Sequence, residues 1–467
     1  MTHSLSHDTI CAIATPLGVG GIGVVRLSGS DAMAIAGKFF TSRRDSAPAG
    51  ELRQAAGHTV HHGWVIDPST AECIDEVLLT LMRAPRTYTR DDVVEISGHG
   101  GPRVLAKILE ACLAAGARLA EPGEFTKRAF LSGRLDLTQA EAVMALIHAE
   151  SEAAHRLALR QLQGDVAAAV RALREELLAL LAECEAGLDF VEQGIASPSA
   201  KQLRARLPHI QARLTTLLDS AQTGAWLRDG VQTVIAGRPN VGKSSLFNIL
   251  VQKNRAIVTP YPGTTRDVLE ETITVDGFPL RLLDMAGLRD SPDPIEQEGI
   301  ARAGRALDEA DLVLLVLDGS EPLREEDRTL LGRVPADRTI VIINKIDLAP
   351  SVDDAALLAQ RPTVRLSALR NIGCDKLKTS IGRLLTEKTG GLTGRAIISS
   401  SRHRQALTIA VESIDRAASA ADSELSAEFI AADLNEAVRQ LGSILGVDGS
   451  LTEEILSSIF NKFCIGK

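Results

Sequence analysis

The residues best suited to chemistry lie between 237 and 244. There Gly237-Arg-Pro-Asn-Val-Gly242-Lys243-Ser244 places two glycines, a lysine and a hydroxyl at the spacing of a phosphate loop. Glycines let successive backbone N–H groups close on phosphate oxygens, and a helix starting here adds the positive end of its dipole. Asn240, Val241, Gly242, Lys243, Ser244 and Ser245 are then nucleotide contacts. Lys243 would lie along the β- and γ-phosphates as a catalytic charge, and the Ser244 hydroxyl would hold Mg2+. Three shorter signals follow. In "DMAG", Asp284 suits a Mg2+ contact through water and the Gly287 N–H suits the γ-phosphate. In "NKID" (Asn344, Lys345, Asp347), the Asp347 carboxylate can accept two hydrogen bonds from the edge of guanine. Adenine offers no matching donors, and the mismatch is worth ~10²–10⁴-fold. Ser367-Ala368, in "RLSALR", offers its backbone to the guanine carbonyl. In this order, these are the residues of a GTP hydrolase.

Two positions do not fit a generic hydrolase. Small GTPases place a water-orienting glutamine directly after Asp-x-x-Gly, whereas this chain has Leu288. The acidic stretch "DSPDPIEQEG" that follows is either the replacement or a solvated loop. Asn240 stands where the loop pattern accepts nearly any residue, so its identity needs a separate reason.

These residues require strands to end where they begin. "VQTVIAG", "LRLLDMAG", "DLVLLVLDG" and "TIVIINKID" are candidate parallel strands alternating with helical segments, the pattern of an α/β sheet. Before it lie Ala-, Leu- and Glu-rich helices. One carries Val166, Val170, Leu173, Leu177, Leu181 and Cys184 at helical spacing. A second, over roughly 200 to 220, carries Leu203, Leu207, Ile210, Leu214 and Leu217. From about residue 398 the chain returns to helices, the last with a capping box at Ser450 and Glu453. The first 120 residues read as α+β, with strands in "TICAIATP", "GVVRLSG", "EVLLTLMRAP" and "DVVEISGHGGP" and a helix in "RVLAKILEACLAAGA". "GVGGIG" at 18 to 23 has the spacing of a dinucleotide fingerprint, but a strand-like run follows it instead of a helix, so it is read as a turn. The expected organisation is an α+β domain over 1–120, a helical domain over 121–228 and 391–467, and an α/β P-loop domain over 229–390 inserted into the latter.

Composition limits the partners. With 467 residues, a net charge of −9 and 3% aromatic residues, the chain lacks both the basic face and the stacking platforms of a broad nucleic-acid binder. Six cysteines (11, 73, 112, 184, 374, 464) include no Cys-x-x-Cys pair, which predicts reduced thiols in a reducing compartment. No apolar run reaches membrane-spanning length and no secretory signal is visible, so a cytoplasmic protein is expected.

The phosphate loop, "YPGTTRDVLE", "DMAG" and "NKID" resemble the G domain of the MnmE family of tRNA uridine-modification GTPases. The closing "FCIGK" resembles that family's Cys-x-Gly-Lys ending, and "PGEFTKRAFLSGRLDLTQAEAV" resembles the start of its helical domain. The resemblance covers nearly the whole chain. It implies that Asn240 helps coordinate K+ together with Thr259, Tyr261 and Thr264, that Thr265 joins Ser244 at Mg2+, and that Glu296 orients the attacking water. A cation bridging the phosphates supplies the charge an arginine finger would otherwise bring. The resemblance also implies a homodimer whose G domains meet across their nucleotides. An N-terminal domain would bind a tetrahydrofolate derivative through Arg26, Glu95, Arg134 and Lys467. Arg134 stands where some relatives carry lysine, and Met285 where threonine is usual. Further implications are an MnmG-type flavoprotein partner carrying FAD, and the wobble uridine of certain tRNAs as substrate. Cys464 is a candidate functional thiol, and "SRHRQ" (Arg402, His403, Arg404) either a contact for RNA or partner or a solvated helix start. A rival reading keeps the nucleotide site but makes the chain a GTP-switched RNA-binding or ribosome-assembly factor without one-carbon chemistry.

Overall fold

The computed structural model describes residues 8–43, 51–189, 198–254, 270–284, 304–349, 361–389, 396–423, 425–447 and 453–467. They form two compact units, Met1–Met144 with Leu441–Lys467, and Ala145–Gln440. The expected second helical part, 391–467, is thus divided between the units, its last 27 residues joining the N-terminal one.

The first unit is built on a seven-stranded sheet. In chain order its strands are β1 (Ile10–Ile13), β2 (Ile22–Ser28), β3 (Phe40–Thr41), β4 (Thr59–Ile66), β5 (Cys73–Met82), β6 (Val93–His99) and β7 (Arg118–Leu119). Their spatial order is β3-β4-β5-β6-β2-β1-β7. One face is closed by helices Ala32–Ala36 and Pro102–Ala114, whose Met33, Ile35, Leu105 and Ile108 pack with Val25, Leu27, Val77, Leu79 and Ile96. Alternation along the strands leaves Arg26 and Glu95 on the other face, directly opposite each other in the β2–β6 ladder. The glycine-rich run at 18 to 23 leads into β2, as the turn reading predicts.

The second unit contains a six-stranded sheet in the order β13-β12-β11-β8-β10-β9. Its strands are β8 (Val231–Ala236), β9 (Glu270–Val275), β10 (Phe278–Asp284), β11 (Leu312–Asp318), β12 (Thr339–Asn344) and β13 (Thr363–Arg365). All neighbours are parallel except the β9–β10 hairpin. Strands β11 and β12 are buried along their full length, as a parallel sheet covered on both faces requires. Helices before and after the sheet share the unit. In Asp165–Asp189 the stripe from Val166 to Cys184 is buried as predicted. The helix expected over roughly 200–220 runs as Ala200–Asp229. Its apolar face continues through Ala221, Trp226 and Leu227, and the last two enter the core beneath β8 and β10. Ser199 caps it, donating its backbone N–H to Gln202 at 2.8 Å in a capping box. The predicted capping residue Ser450 lies outside the described residues, and the last helix is described over Glu453–Phe460. The chain therefore combines an α+β N-terminal part, a helical part and an inserted α/β P-loop part.

Candidate functional site

Strand β8 ends at Ala236 and helix Lys243–Asn254 starts seven residues later, so the phosphate loop occupies the turn between them. Gly237 and Gly242 have φ of +148° and +101°, and Asn240 has φ of +63°. A Cβ at Gly242 would run into the Asn344 amide, so both the backbone angle and the space exclude a side chain. Asn240 is an exposed, non-glycine residue in the left-handed region, where asparagine is among the few tolerated side chains. The loop's geometry thus supplies a reason for asparagine that its spacing does not. Val241 is buried, whereas Ser244 and Ser245 are exposed at the helix start. Lys243 Nζ donates to the carbonyls of Gly237 (3.0 Å) and Arg238 (2.9 Å), so its ammonium lies back across the loop.

Strand β12 runs parallel to β8 through β11, so Asn344 to Asp347 follow it at the same end of the sheet as the phosphate loop. Asn344 is buried and braces two loops: its Nδ2 donates to the Val241 carbonyl at 2.8 Å, and its Oδ1 accepts the Ala368 N–H at 2.9 Å. Its amide is therefore spent on joining the phosphate loop to the Ser367-Ala368 loop. Ser367 is fully buried and its hydroxyl accepts the Arg370 N–H at 3.2 Å. Asp347 faces this loop. The neighbouring Ser367 hydroxyl holds its carboxyl below the usual carboxylate range, against some desolvation. Arg370 Nε lies 3.6 Å from Asp347 Oδ2, while the buried Oδ1 has no hydrogen-bond partner among the described residues. The Asp347 carboxylate thus sits ionised beside the Ser367-Ala368 loop, with one buried oxygen unclaimed among the described residues. Asp284 closes β10 alongside Ile235 of β8. Of the other predicted nucleotide and cation contacts, Thr259, Tyr261, Thr264, Thr265, Gly287 and Glu296 lie outside the described residues, as do Met285 and Leu288.

A separate cluster forms in the first unit. Arg26 Nε donates to Glu95 Oε1 at 2.8 Å, and its Nη1 donates to the Gly466 carbonyl at 3.2 Å. Its guanidinium lies over the Phe125 ring, 5.7 Å from the centroid. Arg134 lies over Tyr88 at 4.9 Å. Phe125 and Tyr88 belong to one small apolar cluster with Ile10, Ala12 and Ala120, so both arginines cover the same patch. The C-terminus is docked by shape. Gly466 has φ of +97°, and a Cβ there would meet the Ile13 carbonyl. Burial and the Arg26 charge hold the Lys467 amine below its usual range, against the opposing pull of Glu95 and Cys464. Cys464 is exposed and its carbonyl accepts the Lys467 N–H at 3.3 Å. In the second unit, "SRHRQ" starts helix Ser401–Asp422, with His403 buried and bonded to Arg402.

Sequence reasoning passed over Arg238, Asp318 and Arg370. A charged residue inside a phosphate loop and an aspartate closing a strand before Gly319 were the available signals. Among the described residues no helix is long and apolar enough to cross a membrane.

Residues 9–134 match the family model described as GTP-binding protein TrmE N-terminus, and residues 137–464 match that of the MnmE helical domain. The tRNA modification GTPase MnmE of Geobacillus kaustophilus (strain HTA426) is 44% identical over 468 residues, covering 98% of this chain and 99% of that protein. The protein of the same name from Streptococcus pneumoniae (strain Hungary19A-6) is 42% identical over 462 residues, with the same coverage. Among solved structures, the G domain of the T. maritima FeoB iron transporter is 31% identical, covers 34% of this chain and 98% of that one, and has a TM-score of 0.25.

Proposed function

Because this chain belongs to the MnmE family of tRNA modification GTPases, a GTP-hydrolysing family, we propose that its GTP hydrolysis serves modification of carbon 5 of the wobble uridine in certain tRNAs. The one-carbon unit comes from a tetrahydrofolate derivative held by the N-terminal domain, residues 1–120. An MnmG-type flavoprotein brings FAD. The G domain, 229–390, opens and closes on the helical residues 121–228 and 391–467 of a cytoplasmic homodimer.

The observation that supports the nucleotide half is the joining of the phosphate loop to the Ser367-Ala368 loop, beside Asp347, through the Asn344 brace. Phosphate-loop N–H groups and Lys243 take the triphosphate, and Asp347 selects guanine. Ser244 and Thr265 would hold Mg2+, and Asn240, Thr259, Tyr261 and Thr264 would hold K+; the two cations offset phosphate charge when bound. An exposed Asn240 side chain beside the phosphate positions fits that donor set. Glu296 orients the attacking water.

The folate half is supported by the Arg26–Glu95 pair and the docked C-terminus. Glu95 accepts from the donor-rich edge of a pteridine, while Arg26, Arg134 and Lys467 offer cations to a glutamyl tail. Calorimetric titration of a reduced folate into the full-length protein tests this reading. One-to-one binding that is lost in Arg26→Ala and Glu95→Ala is expected. Absence of binding to the wild type overturns it and favours the GTP-switched RNA-binding factor.

A further inference from the structure

Asp318 closes β11 and stands in register opposite Asn344 of β12, so the sheet itself sets a carboxylate beside the start of the base-reading loop. The residue is 4% exposed. Its Oδ1 accepts the Ser320 N–H (3.0 Å) and hydroxyl (2.6 Å). Its Oδ2 accepts Lys345 Nζ at 2.5 Å and lies 3.9 Å from Arg238 Nη2. Arg238 is the second residue of the phosphate loop, itself buried, and is further held by Glu321 (2.8 Å) and Asp327 (3.3 Å). Lys345 has φ of +64°, a conformation that a lysine adopts only when its surroundings hold it there. A cavity of about 340 Å³ opens at this junction, and Arg238, Asn240, Asp318, Glu321 and Lys345 are among the residues that line it. Burial opposes ionisation of Asp318, but the bonds from Lys345 and Ser320 outweigh it and hold the carboxyl below its usual range.

The structure assigns Asp318 as a positioning residue for guanine-nucleotide binding. Its carboxylate ties the Lys345 ammonium down so that the lysine stem and the adjoining Asp347 present a fixed surface to the base, and it links that loop to Arg238. Loss of Asp318 acts through Lys345, on the base and much less on the phosphates, which the loop N–H groups and Lys243 hold.

The test compares GDP with inorganic tripolyphosphate, a probe that reaches the phosphate loop alone, on full-length wild type and Asp318→Asn. The asparagine keeps the size of the side chain and the Ser320 bonds and removes the ionic anchor. GDP affinity is expected to fall about ten- to thirty-fold. Tripolyphosphate affinity should stay within about threefold, with KM for GTP rising and kcat at saturation nearly unchanged. Equal losses for both probes, a fall in kcat at constant KM, or no loss for either overturns the assignment. If Asp318→Asn does not fold, Lys345→Gln and Lys345→Arg answer the same question. The arginine restores a partner for Asp318 and should recover GDP affinity relative to glutamine, and failure to recover it refutes the role. The inference rests on Lys345 and Asp347 facing guanine, which Asp347→Asn tests separately. If that variant keeps its preference for GDP over ADP, the base assignment fails. If the preference is lost while Asp318→Asn binds GDP normally, only the present inference fails.

Discussion

Replacing Asn344 by aspartate changes one group at the point where the two nucleotide loops are joined. The aspartate retains an oxygen for the Ala368 N–H but sets a second oxygen against the Val241 carbonyl, where a donor stood at 2.8 Å. Leaving a buried acceptor unmatched costs about 1–3 kcal/mol, and a desolvated charge facing a carbonyl adds to it. A total of about 3 kcal/mol is a reasonable centre. Expressed wholly in binding, that is about 150-fold in the GDP dissociation constant. Any share absorbed by the fold lowers the melting temperature by about 2–4 °C per kcal/mol for a domain of this size. A fluorescent-GDP titration and a thermal melt on the same sample measure both shares. A variant that melts like the wild type and binds GDP within twofold of it would show that the Asn344 bridge does not hold the loops together.

Other substitutions probe separate parts of the account. Asp347→Asn should lower GDP affinity by more than ~10²-fold and improve relative binding of xanthosine diphosphate, read by competition, because the amide pairs with an acceptor where guanine has donors. Gly466→Ala should undock the C-terminus from β1. Its φ of +97° and the neighbouring Ile13 carbonyl leave no room for a methyl, so faster carboxypeptidase release and a loss of about 2 kcal/mol are expected. Glu124 is desolvated, but Arg118, the Glu121 N–H and Arg128 outweigh this and hold its carboxyl below the ordinary 4.5. Its contribution is therefore present above about pH 4.5 and fades as the pH falls through the lower folded value. Glu124→Gln should cost about 3 kcal/mol near neutrality and flatten the acid limb of stability against pH.

The sequence made the second unit's sheet legible because buried parallel strands such as Leu312–Asp318 and Thr339–Asn344 are continuous apolar runs. Strand Thr59–Ile66 was not legible. Its His61, His62 and Gly63 interrupt the apolar alternation, and Gly63 is needed because Phe40 and Thr41 press against it. The helix expected over roughly 200–220 continues to Asp229 because Thr223 and Gly224, a weak helix former and a glycine, are buried by tertiary packing. In the site, residue types point to a phosphate loop and a base loop, but not to the side chains that fasten them together. Asn344 reads as a nucleotide contact in "NKID", while its amide is engaged by Val241 and Ala368. Asp318 and Arg238 matter only through strand register and a loop contact, and neither is periodic in sequence. Asn240 carries two readings at once, a left-handed backbone position and a cation ligand, and substitution by alanine disturbs both.

Glycine at position 240 removes the amide while accepting the φ of +63°, so it separates the two readings. The decisive measurement is GTP turnover by wild type and Asn240→Gly in KCl and in NaCl at equal ionic strength. Strong stimulation of the wild type by K+, and none of the variant although it still binds GDP, is the expected result. Equal turnover of the wild type in both salts would contradict it.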